Sequence, residues 1–170
     1  ITMSKIYFQG IFGAYSHLAA LSIEPKAEII PCKTFDECFS KASNDPSSKI
    51  IIPESNRITG NIGIEYLLFE YRLNIYSEHF QKIEHNLLGV LGAKISNIKD
   101  VYSHSQALSQ CSSFIKSHNL IEHVRADTAG SAQMISKNKD KSKAAIASTL
   151  SADTYNLEII KKNIENEKSN

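Results

Sequence analysis

The sequence predicts an α/β protein in which two lobes of mostly parallel β-sheet are flanked by helices. Three observations support this fold class. Short apolar strands alternate with amphipathic helical segments along nearly the whole chain, which is the pattern of parallel βαβ units. Proline residues or glycine-containing turns close several of the strands. A chain of 170 residues with 42% hydrophobic residues can bury about 70% of its unfolded surface. Such a chain can form a stable hydrophobic core without a disulfide or a metal ion.

The first lobe is predicted to contain three strand–helix repeats. The strands are Lys5–Phe8, Ala27–Ile30, which Pro31 ends, and Lys49–Ile52, which Pro53 ends. The helices are Tyr15–Ser22, one with the apolar stripe Phe35, Cys38, Phe39 and Ala42, and the amphipathic Ile64–Tyr71. Thr34 followed by Glu37 is typical of a capping box and predicts the start of the second helix. Between the third strand and the third helix, the polar residues Glu54–Gly63 predict a loop.

A strand over Leu73–His79 is expected to lead out of the first lobe, with a crossover near Glu78–Gln81. The second lobe is predicted to contain the strands His85–Leu91, Val101–Tyr102, Ile121–Ala126 and Ala144–Ala147, and the helices Gln106–Lys116, Gly130–Lys137 and Leu150–Tyr155. A last strand over Leu157–Ile164 is expected to return to the first lobe. We therefore assign residues 1–78 and about 156–170 to the first lobe, and residues 79–155 to the second.

Composition and charge argue against several classes of partner. With 19 basic and 18 acidic residues, the net charge is +1, and the basic footprint of a nucleic-acid-binding protein is missing. No apolar run approaches the roughly 18 residues of a membrane helix. Ile1–Tyr7 lacks the order of a secretory signal peptide. The cysteines Cys32, Cys38 and Cys111 form no C-x-x-C pair, which predicts free thiols and a cytoplasmic location.

Three kinds of chemistry are also disfavoured. The six histidines show no H-x-x-x-H or H-E-x-x-H spacing, so no metal site is predicted. Ser103 directly precedes His104, but no G-x-S-x-G nucleophile elbow surrounds Ser103, so covalent catalysis by this serine is disfavoured. The turn Gly10–Gly13 is not a G-x-G-x-x-G motif, so a dinucleotide site is unsupported.

Hydroxyl residues stand between strand and helix at three places in the second lobe. These are Ser103-His104-Ser105, Asp127-Thr128-Ala129-Gly130 and Ser148-Thr149. Taken singly, each is the pattern of an ordinary N-cap. Helix N-termini also attract anions, and ligands of open α/β sheets collect at the carboxyl ends of strands. Three such junctions, with the Gly10–Gly13 turn in the other lobe, favour a site for a small anionic ligand.

Motifs along the whole chain, taken together and in order, resemble those of prephenate dehydratases. They are Tyr7-Phe8-Gln9-Gly10 with Gly13-Ala14-Tyr15-Ser16, Pro31-Cys32 with Thr34-Phe35, Pro53 with Asn56 and Gly60, Tyr102-Ser103-His104 with Gln106-Ala107-Leu108 and Gln110-Cys111, Asp127-Thr128-Ala129-Gly130-Ser131-Ala132, and Ala144-Ala145-Ile146-Ala147-Ser148. The resemblance implies a two-lobed fold like that of type II periplasmic binding proteins, with a ligand cleft between the lobes.

The resemblance also implies a reaction. Members of this family convert prephenate to phenylpyruvate, water and carbon dioxide in phenylalanine biosynthesis, without a cofactor, and a homodimer is expected. Prephenate carries two carboxylates, which suit helix N-termini and uncharged hydrogen-bond donors. Its ring hydroxyl must be protonated as it leaves, while decarboxylation supplies the electrons that aromatise the ring. Orientation and one proton donor are therefore the main requirements.

By the same resemblance, nine residues are predicted to form the site. The predicted catalytic residues are Asn56, Ser103, Gln110 and Thr128. The predicted substrate-binding residues are Ala14, Tyr15, Arg57, Gln106 and Ala129, of which Ala14 and Ala129 would contribute backbone contacts. No metal ligand is among them.

Three departures from the family pattern qualify this prediction. Ser55-Asn56-Arg57 stands where the family has Glu-Asn-Ser, so that Arg57 either grips a substrate carboxylate or points to solvent. Ser105 replaces a family proline at the first turn of a helix. The sequence also ends before the Thr-Arg-Phe motif, whose threonine is the expected proton donor, and before the regulatory domain.

Three alternatives to a competent enzyme stay open. Loss of one acid–base group costs about 10²- to 10⁴-fold in rate, so the chain could be a truncated, impaired homologue that only binds a small dicarboxylate. It could instead be a binding module for small anions, as solute-binding proteins are. The last alternative is a folded remnant without any ligand.

Overall fold

A computed structural model describes residues 3–56, 60–61 and 63–167. The chain divides into two compact units. Unit 1 comprises Ile1–Ile11 and Tyr15–Gln81, and unit 2 comprises Phe12–Ala14 and Lys82–Asn170. Both units combine sheet and helix, which confirms the predicted α/β class.

Unit 1 is built on a three-stranded parallel sheet. Its elements are β1 (Lys5–Gln9), α1 (Tyr15–Ile23), β2 (Glu28–Cys32), α2 (Phe35–Ser43), β3 (Lys49–Ile51), β4 (Ser55–Asn56), β5 (Gly60–Asn61) and α3 (Glu65–Tyr71). β1 lies in the centre and pairs in parallel with β2 and β3. β4 and β5 form a separate antiparallel pair where a loop was predicted. Phe8, Phe39 and Leu67 are its largest fully buried side chains.

The start of α2 follows the predicted cap with one change of partner. Thr34 is the N-cap, and its Oγ1 accepts a hydrogen bond of 3.1 Å from the backbone N–H of Glu37. The Glu37 carboxylate accepts in turn from the N–H of Lys33, at 2.7 Å, rather than from that of Thr34. The prediction of the helix start is therefore confirmed, with the reciprocal bond displaced by one residue.

Pro31 does not end the second strand, contrary to the prediction. It lies inside β2 and pairs with Phe8 of β1. β2 is an edge strand of the sheet. An edge strand tolerates proline because one side of its backbone needs no N–H donor.

The strand predicted over Leu73–His79 is absent. Arg72 ends α3 in a left-handed conformation, with φ of 51°, and the residues that follow have no ladder partner within the described ranges. Ile75 and Tyr76 are exposed. An alternating sequence becomes a strand only where a neighbouring strand completes its hydrogen bonds.

Unit 2 is built on a five-stranded mixed sheet of order β10-β6-β9-β7-β8. Its elements are β6 (Asn86–Gly89), β7 (Asp100–Ser103), α4 (Ser105–Gln110), α5 (Ser112–Ser117), β8 (Ile121–Val124), α6 (Thr128–Asn138), β9 (Lys143–Ala147), α7 (Thr149–Tyr155) and β10 (Glu158–Lys161). β7 pairs in parallel with β8 and β9, whereas β6 is antiparallel to β9 and β10. The prediction of parallel pairing therefore holds for the βα part of this unit.

The prediction that residues 156–170 return to the first lobe is wrong, because the last strand, β10, stays in unit 2. Asn156 reverses the chain after α7 with φ of 52°, and β10 then pairs with β6. Ile159 and Ile160 pack against two apolar clusters of this unit. Burial of these side chains favours this position.

The helix predicted over Gln106–Lys116 is broken in two at Cys111. The carbonyl of Gln110 accepts a hydrogen bond of 2.7 Å from the backbone N–H of Asn166. The side-chain oxygen of Asn166 accepts from the N–H of Ser113, at 3.0 Å, near the start of α5. Asn166 thus supplies partners to backbone groups on both sides of the break.

The three inner strands of the five-stranded sheet, β6, β9 and β7, are buried on both faces. Successive strand residues alternate between two apolar clusters, since Leu87 and Ile146 belong to one and Leu88 and Ala145 to the other. Helices α4 and α5 contribute to the first cluster, and α6 and α7 to the second. This arrangement explains why every residue of β9 after Lys143 is small or aliphatic, without alternation.

The three cysteines are free and buried, as predicted. Burial raises the pKa of the Cys111 thiol to about 12. It also raises the pKa of the Cys38 thiol. These side chains therefore act as small apolar groups of the core rather than as reactive thiolates.

Replacing Ile146 by alanine tests the burial of the inner strand β9 on both faces. Ile146 is 0% exposed in β9, so Ile146→Ala leaves a cavity and is expected to lower the free energy of unfolding by about 2–5 kcal/mol. Ile121→Ala in β8, where the side chain is 59% exposed, is the matched control and should cost less than about 1 kcal/mol. Urea unfolding followed by circular dichroism measures both, and equal losses would contradict this account of the core.

Candidate active site

The three predicted strand–helix junctions of unit 2 lie at one edge of its sheet. β7, β8 and β9 are parallel, so their carboxyl ends meet at the same edge. The helices that begin there are α4, α6 and α7. Their N-caps are His104, Asp127 and Ser148, whose side chains accept from Gln106, Gly130 and Ser151 respectively. The edge thus collects three helix N-termini.

Ser103, a predicted catalytic residue, joins β7 to its neighbours. Its side chain is fully buried, and its hydroxyl donates to the carbonyl of Ile146 in β9 at 2.6 Å. Its own carbonyl accepts from the N–H of Arg125, which follows β8, at 2.8 Å. Ser103 therefore stabilises the edge of the sheet, and its predicted contact with substrate stays a prediction.

Thr128 and Ala129, two other predicted site residues, open α6. Asp127, not Thr128, caps this helix, and its carboxylate accepts from the N–H of Gly130. Within the described part of the chain, the hydroxyl of the half-buried Thr128 makes no hydrogen bond. The helix provides no acceptor for the N–H groups of its first residues. A hydroxyl and two amides are thus available at this terminus.

The glycine of this junction is required by the cap. A Cβ on Gly130 would lie 2.9 Å from both carboxylate oxygens of Asp127. That distance is shorter than van der Waals contact allows, so a larger residue would displace the carboxylate. The sequence Asp127-Thr128-Ala129-Gly130 therefore has a geometrical basis beyond its N-cap.

Gln106 and Gln110 lie four residues apart and share one face of α4. Gln106 is exposed, and its side chain has no hydrogen-bond partner among the residues that the structure describes. The amide oxygen of Gln110 lies 2.7 Å from Nε2 of His85. The structure thus adds His85 to the surroundings of a predicted site residue.

His85 is a buried residue that sequence analysis missed. Burial lowers the pKa of its imidazole, an effect opposed by the hydrogen bond to Gln110 and by the negative charge of Glu165. Its backbone N–H donates to the Glu165 carboxylate at 3.0 Å. No spacing motif links residues so far apart, so only the fold could reveal this cluster.

The segment Phe12–Ala14, which contains a predicted backbone contact at Ala14, belongs to unit 2. The Gly13 carbonyl accepts from the hydroxyls of Ser148 and Ser151, at 2.6 and 2.9 Å. Gly13 has φ of +95°, and a Cβ there would lie 2.6 Å from the Ser151 oxygen. The predicted role of Ser148 as a cap is confirmed, and the structure adds its bond to Gly13.

The remaining predicted site residues fall elsewhere. Tyr15 begins α1, and Asn56 ends β4, both in unit 1. Arg57 lies outside the described residues, so its two interpretations stay open. Unit 2 therefore contains six of the nine predicted site residues, namely Ala14, Ser103, Gln106, Gln110, Thr128 and Ala129.

The described residues offer neither a metal site nor a membrane-spanning helix. Among residues 3–56, 60–61 and 63–167, no group of three or more His, Cys, Asp or Glu side chains could hold a metal ion. No helix over those ranges is long and apolar enough to cross a bilayer.

Comparisons with known proteins point to one family. The family model described as "Prephenate dehydratase" matches residues 6–170. "Arogenate dehydratase/prephenate dehydratase 1, chloroplastic" of Arabidopsis thaliana is 38% identical over 167 residues, covering 98% of this chain and 43% of the relative. The chain spans about two fifths of the length of several such curated relatives.

Two solved structures are similar as well. The prephenate dehydratase from Staphylococcus aureus has a TM-score of 0.82 at 28% identity, covering 98% of this chain and 62% of that one. A quorum-quenching acylase, GqqA, has a TM-score of 0.91 at 34% identity, covering 95% of this chain and 60% of that one.

Gly13→Ala tests the contact between Gly13 and α7. We expect a loss of about 1–3 kcal/mol in the free energy of unfolding, because φ of +95° disfavours a side chain and Ser151 occupies the space. Gly63→Ala is the matched control, since Gly63 also has positive φ but no atom within 4 Å of its added Cβ. A larger loss at Gly63 than at Gly13, measured by urea unfolding, would contradict the steric argument.

The burial of His85 predicts how stability responds to acid. The unfolded state binds a proton at the ordinary pKa of about 6.5, whereas the folded state binds it only at lower pH. This contribution to stability is therefore present above pH 6.5 and is lost as the pH falls toward the lowered pKa. His85→Gln should flatten the pH dependence of the free energy of unfolding in that window.

The control for this experiment is His79→Gln, which removes an exposed imidazole. Urea unfolding at several pH values between 5 and 8 gives the slopes. A His85→Gln slope as steep as that of the unmodified protein would contradict the assignment.

Proposed function

Because the chain belongs to the prephenate dehydratase family, we propose that this protein is a carbon–oxygen lyase that converts prephenate to phenylpyruvate, water and carbon dioxide in phenylalanine biosynthesis. The observation that carries the proposal is the family match over residues 6–170, because that range includes every predicted site residue. The chain spans only part of its curated relatives, so the proposal concerns the activity of the protein to which it belongs.

The start of α6 supplies groups suited to this substrate. Prephenate is a dianion, and the 11-residue helix α6 presents its positive end together with the first amides, at Thr128 and Ala129. The Thr128 hydroxyl adds a neutral donor, and the Asp127 carboxylate is already engaged by Gly130. We assign one carboxylate of the substrate to this terminus.

The amides of Gln106 and Gln110 suit the same chemistry. The bond from the ring carbon to the hydroxyl breaks as the hydroxyl takes up a proton, and the bond to the ring carboxylate breaks to release carbon dioxide. The electrons of the second bond aromatise the ring, so the reaction needs no external oxidant or reductant. Neutral donors hold the dianion without competing for the proton. The roles of Tyr15, Asn56 and Arg57 stay predictions.

Thr128→Val tests the assignment at α6. Valine keeps the shape of threonine but removes the hydroxyl, so kcat/KM for prephenate is expected to fall about 10- to 100-fold. Thr149→Val is the matched control because Thr149 also stands first in its helix, behind the N-cap Ser148, and is half-buried. The control should stay within about twofold of the unmodified protein, as measured by phenylpyruvate absorbance after quenching.

The outcomes separate the possible failures. If the unmodified protein forms phenylpyruvate and Thr128→Val does so equally well, Thr128 is not part of the site. If calorimetry detects binding of prephenate but no phenylpyruvate forms, the protein binds a small dicarboxylate without turnover. Faster conversion of arogenate than of prephenate would make arogenate the substrate, as the names of several relatives would suggest.

We also propose a cytoplasmic homodimer. The three free, buried cysteines support a reducing compartment. Light scattering coupled to size exclusion measures the mass, and a monomer at micromolar concentration would contradict the dimer.

A further inference from the structure

We propose that His85 is a positioning residue for Gln110, holding the oxygen of the Gln110 amide so that its NH2 group is the part presented to substrate. This inference rests on the proposed function and deepens it, because it concerns how a predicted catalytic side chain acquires its orientation.

The contact between the two side chains has a defined polarity. Nε2 of His85 and Oε1 of Gln110 are 2.7 Å apart. An amide oxygen can only accept a hydrogen bond, so Nε2 carries the proton. Burial of the imidazole, which is 3% exposed, lowers its pKa and favours the neutral ring. A neutral ring has one N–H, and this contact requires that it be on Nε2.

The backbones of both residues are held by the same short segment, Ile164–Asn166. The carbonyl of His85 accepts from the N–H of Ile164 at 2.9 Å, and its N–H donates to the Glu165 carboxylate at 3.0 Å. The carbonyl of Gln110 accepts from the N–H of Asn166 at 2.7 Å. His85 and Gln110 are therefore fixed to one frame, and the bond between their side chains closes it.

The break between α4 and α5 makes this frame possible. An unbroken helix would use the Gln110 carbonyl for its own ladder, by accepting from a residue one turn later. Cys111 leaves helical geometry, with φ of −110° and ψ of 14°, and the carbonyl is bonded to Asn166 instead. Gln110 thus stands at the end of a helix that a distant segment holds in place.

An anionic substrate requires that the Gln110 amide present its NH2 group rather than its oxygen. An unrestrained amide presents its oxygen or its NH2 group at similar steric cost, but only the NH2 group attracts a carboxylate or a hydroxyl oxygen. Engaging the oxygen through His85 removes the orientation that would repel an anion. Preorganised donors of this kind are worth more than freely rotating ones, since no reorientation is needed when substrate binds.

Two substitutions at His85 separate positioning from simple packing. His85→Gln restores an N–H donor close to the position of Nε2, whereas His85→Met has similar length but no donor. We expect His85→Gln to keep kcat/KM for prephenate within about threefold, and His85→Met to lower it about 10- to 100-fold. Gln110→Ala should cost the same as His85→Met, and the double variant should cost no more than either, because one interaction is removed in each case.

A spectroscopic measurement checks the contact without any turnover. In the unmodified protein at neutral pH, the imidazole ¹⁵N shifts of His85 should report the Nε2–H tautomer, and Gln110→Ala should alter them. Unfolding midpoints of both His85 variants show whether a loss of activity reflects loss of fold.

Each result decides between the two proposals. Turnover by the unmodified protein together with unchanged kcat/KM in His85→Met overturns the positioning role and leaves the proposed function standing. The Nδ1–H tautomer overturns it as well. An unmodified protein without prephenate turnover overturns the proposed function, and the positioning role for that reaction falls with it.

Discussion

Parallel pairing of β7 with both β8 and β9 is the constraint on which the rest of unit 2 depends. It brings three carboxyl ends of strands to one edge of the sheet, so three helices must start there. The pairing of β7 with β9 is secured by two-sided burial, because alternate residues of these two strands enter different apolar clusters. The polar edge is therefore a consequence of the apolar core, and the hydroxyl of Ser103 links the two through its bond to Ile146.

Some polar groups at this edge form hydrogen bonds within the protein that stabilise the fold, and others remain available for a ligand. Asp127 and Ser148 satisfy backbone groups of the helices that they cap, and Ser148 also donates to Gly13. Thr128 follows the N-cap of α6 instead of occupying it, although threonine is common at caps. Because the Asp127 carboxylate occupies the cap position, the Thr128 hydroxyl is not needed for capping. This hydroxyl can therefore act as a neutral hydrogen-bond donor to an anion.

The segment Ile164–Asn166 shows how residues outside the motifs can control those inside them. It contacts the backbone of His85 before β6 and that of Gln110 at the end of α4. Neither contact belongs to a regular element, and both depend on β10 pairing with β6 instead of leaving unit 2. The orientation of the Gln110 amide therefore depends on where the last strand pairs, through a chain of ordinary backbone hydrogen bonds.

Local patterning determined much of this protein. The apolar spacing and Thr34 predicted α2, and the junction at Asp127-Thr128 predicted a helix start within two residues, because caps and amphipathic faces are short-range properties. The motifs further identified the family. Tertiary structure alone decided that Leu73–His79 forms no strand, that α4 ends at Gln110, and that His85 contacts Gln110. Each of these features depends on residues distant in sequence. The first would need a neighbouring strand, the second depends on Asn166, and the third joins two residues that are 25 positions apart. Hydrogen bonds between distant residues exist only once the chain has folded, so no local pattern encodes them.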